Sequence, residues 1–120
     1  RRQRQMCIRD RYHACAAGIP SKDTIKLINE QGFVTGTPER KYTWIIQTPQ
    51  VFEYTLIRGA YEQMYQNMPA VQITDDAMVV ETMLCTPVKL YEGSYDNIKI
   101  TTPEDMVVAE AFLNAEYPLL

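Results

Sequence analysis

A strand-like run that leads directly into a capped helix start is the feature of this sequence that most constrains its fold. Within residues 96–105, Ile98 and Ile100 alternate with polar residues, and Thr-Pro-Glu-Asp follows at 102–105. Threonine at the N-cap, proline at the first helical position and acids in the first turn are typical of a helix N-terminus. Open α/β sheets bind ligands where strands lead into helices. Lys99, at this junction, is therefore a candidate phosphate contact, although most lysines on strands are only solvated.

Two further segments carry a similar helix-start signal. Thr48, in Thr-Pro-Gln, and Thr74, in Thr-Asp-Asp, each precede apolar residues at helical spacing. Capping explains both threonines, and because a helix N-terminus also favours phosphate, both are candidate substrate contacts as well. The helix dipole alone explains why Asp75 and Asp76 lie in a predicted first turn, so we predict no metal site there.

The part of the sequence before Thr48 is predicted to contain a poorly buried β-hairpin. Residues 24–29 and 33–37 are β-rich runs around a short glycine-containing turn, and strands are predicted at 14–20 and 44–47 on either side. Isolated two-stranded ribbons are marginal in water. We therefore expect the hairpin, at about residues 22–40, to pack on something outside its own subunit.

Composition limits the class of protein. The chain has 120 residues, of which 46% are hydrophobic and 22% charged, as in one globular domain or part of one. A net charge of −3 gives no support for nucleic-acid binding, and no apolar run approaches the length of a membrane span. Cys7, Cys15 and Cys85 are odd in number and lack C-x-x-C spacing, which favours a reduced, cytoplasmic protein without a zinc site.

The order of the predicted elements is strand, hairpin, strand, two helices, two strands and helix. This order predicts an α/β domain.

The first eleven residues differ from the rest of the chain. Residues 1–11 contain five arginines and one aspartate, and they show neither hydrophobic periodicity nor the pattern of a signal or transit peptide. A basic arm for RNA or membrane is one interpretation. Because Met-Cys-Ile-Arg-Asp-Arg at 6–11 resembles translated sequencing-adapter sequence, we favour foreign or disordered sequence. The folded part is then predicted to be 12–120.

Five short motifs follow one another along this chain. They are Lys-Asp-Thr-Ile-Lys at 22–26, Thr-Pro-Glu-Arg at 37–40, Trp44 with Gln-Thr-Pro-Gln-Val-Phe at 47–52, Thr-Asp-Asp-Ala at 74–77, and Asp-Asn-Ile-Lys-Ile-Thr-Thr-Pro-Glu-Asp at 96–105. In this order and spacing they resemble the C-terminal half of the 2-C-methyl-D-erythritol 4-phosphate cytidylyltransferase family of non-mevalonate isoprenoid biosynthesis. Each motif alone is weak, but the set, covering roughly residues 12–115, is specific.

The resemblance implies a fold, a reaction and a set of site residues. It implies the C-terminal part of a Rossmann-like nucleotidyltransferase domain, with a protruding β-hairpin arm that forms a homodimer and reaches the partner's active site. It also implies transfer of CMP from CTP to 2-C-methyl-D-erythritol 4-phosphate, a reaction that depends on positioning and charge neutralisation. Arg40 and Lys99 match the family's catalytic residues that position the sugar phosphate, and Thr24, Thr48 and Thr74 match its substrate contacts.

Two family features are not found in this sequence. They are the glycine-rich loop that holds the CTP phosphates and an Asp-Ala-Ala-Arg-Pro segment that helps to bind metal. We therefore expect a truncated fragment that is inactive alone, with the implied Mg²⁺ ligands in the missing N-terminal half. Two alternatives stay open: ribitol 5-phosphate cytidylyltransferase, which shares the fold and the Gln-Thr-Pro-Gln motif, and a non-catalytic dimerisation module built on the hairpin and sheet.

Overall fold

The computed structural model describes residues 11–116, in which three α-helices accompany two β-sheets. The strands are β1 (Ala14–Pro20), β2 (Leu27–Ile28), β3 (Val34–Gly36), β4 (Trp44–Phe52) and β5 (Lys89–Glu92). The helices are α1 (Tyr54–Gln66), α2 (Asp76–Leu84) and α3 (Pro103–Glu116), and a 3-10 turn covers Arg40–Tyr42. The prediction for residues 1–11 lies outside the described residues, apart from Arg11.

The larger sheet has the order β4-β1-β5. The central strand, β1, pairs antiparallel with β4 and parallel with β5. Ala14, Cys15 and Ala16 in this strand have no exposed surface, as expected for a strand that is covered on both faces. The mixed sheet and its helices confirm the predicted α/β class.

The hydrophobic core lies between α1, α2 and the start of β1. Its buried members are Ala14, Ala60, Met64, Val79 and Val80. Full burial of each valine side chain contributes roughly 1.5–3 kcal/mol. The core therefore holds α2 in place against α1 and β1, and the residues at the N-terminal end of α2 border the candidate site. Within residues 11–116, no helix has both the length and the hydrophobicity that crossing a membrane requires.

The predicted helix start at Thr48 was wrong. Thr48 lies inside β4, which continues to Phe52, and α1 begins only at Tyr54 after the N-cap position Glu53. Phe52 pairs with Ala14 in the register of β4 and β1, so sheet pairing extends the strand past the local Thr-Pro signal. The peptide bond between Thr48 and Pro49 is cis. Because Thr48 lies within β4, it is a strand residue and not a cap.

Two other predicted boundaries also change. The N-cap of α2 is Asp75, whose side chain accepts a hydrogen bond from the Met78 amide, and not Thr74. The predicted strand at Ile98 and Ile100 was wrong, because residues 97–100 have no regular secondary structure. The place beside β1 is taken by β5, the first of the two strands predicted between the second and third helices.

The predicted hairpin is present as a separate two-stranded antiparallel sheet of β2 and β3. Gly32 in its turn has φ +85°, which favours glycine. The Cα radius of gyration of 17.3 Å exceeds the roughly 13 Å of a compact domain of this size. The large apolar side chains of the hairpin are exposed: Leu27, Ile28, Phe33 and Val34. The role of the hairpin as a dimerisation arm stays a prediction.

Candidate functional site

A cleft of about 530 Å³ lies beside β4. Its walls come from β4, from the N-terminus of α2 and from the loop that follows β5. Three residues that the sequence singled out border it together: Thr48 from β4, Thr74 ahead of α2, and Lys99 from the loop. These residues are distant in sequence, and the fold brings them to one opening.

The Gln47 side chain attaches the Lys99 loop to β4. Its Nε2 donates to the carbonyl oxygens of Ser94 at 2.7 Å and Asn97 at 3.1 Å. Asn97 Nδ2 in turn donates to the Thr48 carbonyl at 2.7 Å and to Gln47 Oε1 at 3.4 Å. A Cβ at position 93 would collide with Gln47 Oε1, so Gly93 allows this close approach. The network fixes Thr48 and the loop that carries Lys99 relative to one another.

Gln50 makes the corresponding connection to α2. Its Oε1 accepts from the Ala77 amide at 3.0 Å, and its Nε2 donates to Asp75 Oδ2 at 3.0 Å. Asp75 Oδ1 accepts from the Met78 amide at 2.8 Å. The Ala77 and Met78 amides of α2 are therefore already satisfied. Thr74 offers a ligand its hydroxyl, whose contact among the described residues is with the Met78 sulfur at 3.7 Å.

The Lys99 ammonium is available to an anion. Lys99 is exposed, and within the described part of the chain the ion pairs are His13 with Glu53 and Arg58 with Glu62. Asp75 also lines the cleft, so one carboxylate offsets this one lysine. Among the residues that the structure describes, the charges lining the cleft thus roughly cancel.

Arg40 and Thr24 lie outside this cleft. Both are exposed, and Arg40 begins the 3-10 turn at the base of the hairpin. Arg40 Nη1 donates to the Lys22 carbonyl at 3.3 Å, a contact within the hairpin base. The structure of one chain therefore brings together Thr48, Thr74 and Lys99, but not Arg40 and Thr24.

The carboxylates near the cleft do not fit a divalent cation. Residues 11–116 contain no group of three His, Cys, Asp or Glu side chains that could hold a metal ion. Asp75 uses both oxygens in the bonds just described, and Asp76 Oδ1 accepts from the Tyr61 hydroxyl. That hydrogen bond, with some burial, raises the pKa of Tyr61 to about 12. Asp75 therefore caps α2, and Asp76 connects α2 to α1.

Sequence reasoning assigned no role to Gln47, Gln50 or Asn97. The sequence does indicate that these amides form hydrogen bonds, because side-chain amides next to apolar residues become partly buried and then require partners. What the sequence does not show is which partners they find, since these lie up to 50 residues away along the chain.

Comparisons with known proteins agree on one family. The family model described as 2-C-methyl-D-erythritol 4-phosphate cytidylyltransferase matches residues 3–115. A curated relative of that name from Desulforamulus reducens is 54% identical over 103 residues, which cover 86% of this chain and 43% of the relative. One from Caldanaerobacter subterraneus is 54% identical over 102 residues, covering 85% and 44%. The chain thus spans less than half the length of these relatives.

Solved structures give the same picture. The 4-diphosphocytidyl-2C-methyl-D-erythritol synthase from Anaerococcus prevotii superimposes with a TM-score of 0.85 and 36% identity, over 93% of this chain and 49% of that one. The 2-C-methyl-D-erythritol 4-phosphate cytidylyltransferase from Thermus thermophilus gives 0.69 and 32%, over 87% and 49%. Both identities are high enough to support relationship as well as a shared nucleotidyltransferase fold.

Proposed function

Because this chain belongs to the 2-C-methyl-D-erythritol 4-phosphate cytidylyltransferase family, we propose that its protein transfers CMP from CTP to 2-C-methyl-D-erythritol 4-phosphate. The observation that supports this best is the cleft in which Lys99 lies exposed beside the hydroxyl-bearing Thr48 and Thr74. A lysine ammonium suits a phosphate, and threonine hydroxyls suit the hydroxyls of a polyol. The cleft therefore offers the groups that a phosphorylated polyol requires.

The proposed reaction needs no covalent intermediate with the protein. A phosphate oxygen of the sugar phosphate forms a bond to the α-phosphorus of CTP, and the bond from that phosphorus to the β-phosphate oxygen breaks, releasing pyrophosphate. Lys99 holds the attacking phosphate and offsets its repulsion from the nucleotide phosphates. Catalysis by this part of the protein is then positioning and charge neutralisation.

The exposed positions of Arg40 and Thr24, outside the cleft of their own chain, support a contribution from a second subunit. We propose a homodimer in which the hairpin of one protomer adds Arg40 and Thr24 to the cleft of the other. The guanidinium of Arg40 suits a bidentate grip on phosphate, and among the described residues no carboxylate engages it. The exposed apolar residues of the hairpin give such a contact a hydrophobic component.

The proposed cofactor is Mg²⁺, as the family implies. Since Asp75 and Asp76 are occupied by hydrogen bonds, its ligands are proposed to lie outside residues 11–116. A cytoplasmic location is proposed from the cysteine pattern alone.

The test is a pyrophosphate-release assay on the full-length protein that carries this chain. CTP is supplied with either 2-C-methyl-D-erythritol 4-phosphate or ribitol 5-phosphate, and Lys99→Ala is the control for background release. We expect turnover with the methylerythritol substrate to exceed turnover with the ribitol substrate. The reverse preference would establish the ribitol alternative, and no turnover with either would favour the non-catalytic module.

A further inference from the structure

Tyr95 forms part of the cleft wall and also contacts the base of the hairpin. Its ring lines the cleft that contains Lys99. Its hydroxyl donates to the Pro20 carbonyl, at the end of β1, at 2.7 Å. The ammonium of Lys22 lies over the ring, 3.9 Å from its centroid. This one aromatic side chain therefore connects the Lys99 loop, to which Tyr95 belongs, with the central strand and the start of the hairpin.

The contacts continue from Lys22 to Arg40. The Lys22 carbonyl accepts the hydrogen bond from Arg40 Nη1, so Lys22 touches Tyr95 with its side chain and Arg40 with its backbone. The Ser21 amide donates to the Thr43 carbonyl at 2.8 Å, which closes the base of the hairpin on its other side. The base of the hairpin and the cleft wall thus meet at a single junction.

We propose that Lys22 and Tyr95 are positioning residues, whose contact sets the hairpin base and the Lys99 loop in one fixed arrangement. The ammonium and the aromatic face attract each other while both groups stay partly solvated. The contact therefore orients the ring without burying a charge. The effect on catalysis rests on the proposed function above. The effect on structure rests only on the contacts.

The first test is kinetic. In the full-length protein, Tyr95→Leu removes the ring contact and the Pro20 hydrogen bond, and we expect KM for the sugar phosphate to rise about tenfold, with KM for CTP changed by less than about twofold. Lys22→Met and Tyr95→Phe each remove one of these contacts and should raise it about threefold. Lys22→Arg keeps a cation over the ring and should restore KM to within about twofold of the native value.

A double variant and a matched pair of controls make this specific. Lys22→Met combined with Tyr95→Leu should be no worse than Tyr95→Leu alone, because the ring contact is already lost. Lys41 and Tyr42 form a similar pair, with the ammonium 4.9 Å from the ring centroid, next to Arg40 but outside the cleft. Lys41→Met and Tyr42→Leu should leave both KM values within about twofold of native. Equal losses in the control pair, or fully additive losses in the double variant, would overturn the proposal.

The second test does not depend on turnover. Hydrogen exchange should accelerate in Tyr95→Leu both at the Ser21 amide, which bonds to Thr43, and at the Asn97 amide, which bonds to Ser94 at 3.1 Å. Unchanged exchange at either amide would overturn the junction. If the native protein is inactive on both polyol phosphates, the proposed function fails, and faster exchange at both amides would still establish the junction.

Discussion

The cleft and the hairpin are organised in opposite ways. At the cleft, Gln47 and Gln50 reach from β4 to the Lys99 loop and to α2, so side-chain hydrogen bonds join elements that are distant in sequence. In the hairpin, the hydrogen bonds are local, such as that of Lys26 to Thr37 at 2.9 Å, while large apolar side chains face solvent. The cleft is thus specified within one chain, whereas the hairpin has the composition of a surface that something else covers.

The largest expected effect tests whether both regions serve one reaction. Lys99→Ala and Arg40→Ala, each in the full-length protein, should lower kcat/KM by at least about a hundredfold, because each leaves phosphate charge uncompensated. Both residues are exposed, so thermal unfolding should change little. Lys89→Ala, at a lysine outside the cleft, is the control and should retain activity. Normal activity in Arg40→Ala would show that Arg40 of the hairpin takes no part in the reaction.

Subunit mixing separates a hairpin that works in its own subunit from one that works in its partner. Heterodimers of Arg40→Ala and Lys99→Ala contain one cleft that takes Lys99 from one protomer and Arg40 from the other. Equal mixing makes half of the dimers heterodimers, so activity should return to about a quarter of native. No recovery after subunit exchange has been verified would place Arg40 in the cleft of its own subunit.

The same contrast explains what the sequence could predict. The α/β class, the hairpin, β5, the start of α3 and, to within one residue, the start of α2 follow from periodicity, turn residues and caps, which are local signals. The start of α1 was misplaced at Thr48, and a strand was wrongly predicted at Ile98, because sheet pairing with β1 decides both and leaves no local trace. Of the predicted site residues, Lys99, Thr48 and Thr74 line the cleft, and their role there stays a prediction. Its supporting bonds were missed, since they join residues about 50 positions apart.

A smaller effect tests whether the cleft depends on the Gln47 network. Gln47→Glu keeps the shape of the side chain but replaces the donor to two carbonyl oxygens with a carboxylate. We expect a loss of about 2 kcal/mol in the free energy of unfolding, measured by urea titration. Activity should fall about tenfold, since the loop that carries Lys99 loses two of its hydrogen bonds to β4. Gln63→Glu, at an exposed position of α1, makes the same chemical change and should alter neither quantity appreciably.

The smallest expected effect concerns the other end of the Lys99 loop. Asp105 Oδ2 accepts from the amides of Thr101 at 3.0 Å and Thr102 at 2.9 Å, while the Asp105 amide donates to Thr102 Oγ1 at 3.2 Å. This is the reciprocal arrangement of a capping box, with aspartate in the place of glutamate. These hydrogen bonds favour the ionised carboxylate and hold the pKa of Asp105 below its ordinary value of 3.8. The Lys99 loop is therefore attached at this end by a charge-assisted cap.

The pH dependence of stability tests that attachment. Because the pKa of Asp105 is lowered on folding, its contribution is present above the unfolded-state pKa and is lost as the pH falls through the folded-state pKa. Urea midpoints of Asp105→Asn should lie below native near about pH 7, and the two should converge as the pH approaches about 2. Glu104→Gln removes an equal charge from the same helical turn, in which both acids lie, and is the control for the helix dipole. A native-to-variant difference that is independent of pH, or that Glu104→Gln reproduces, would show that the loop is held at this end by something other than the Asp105 cap.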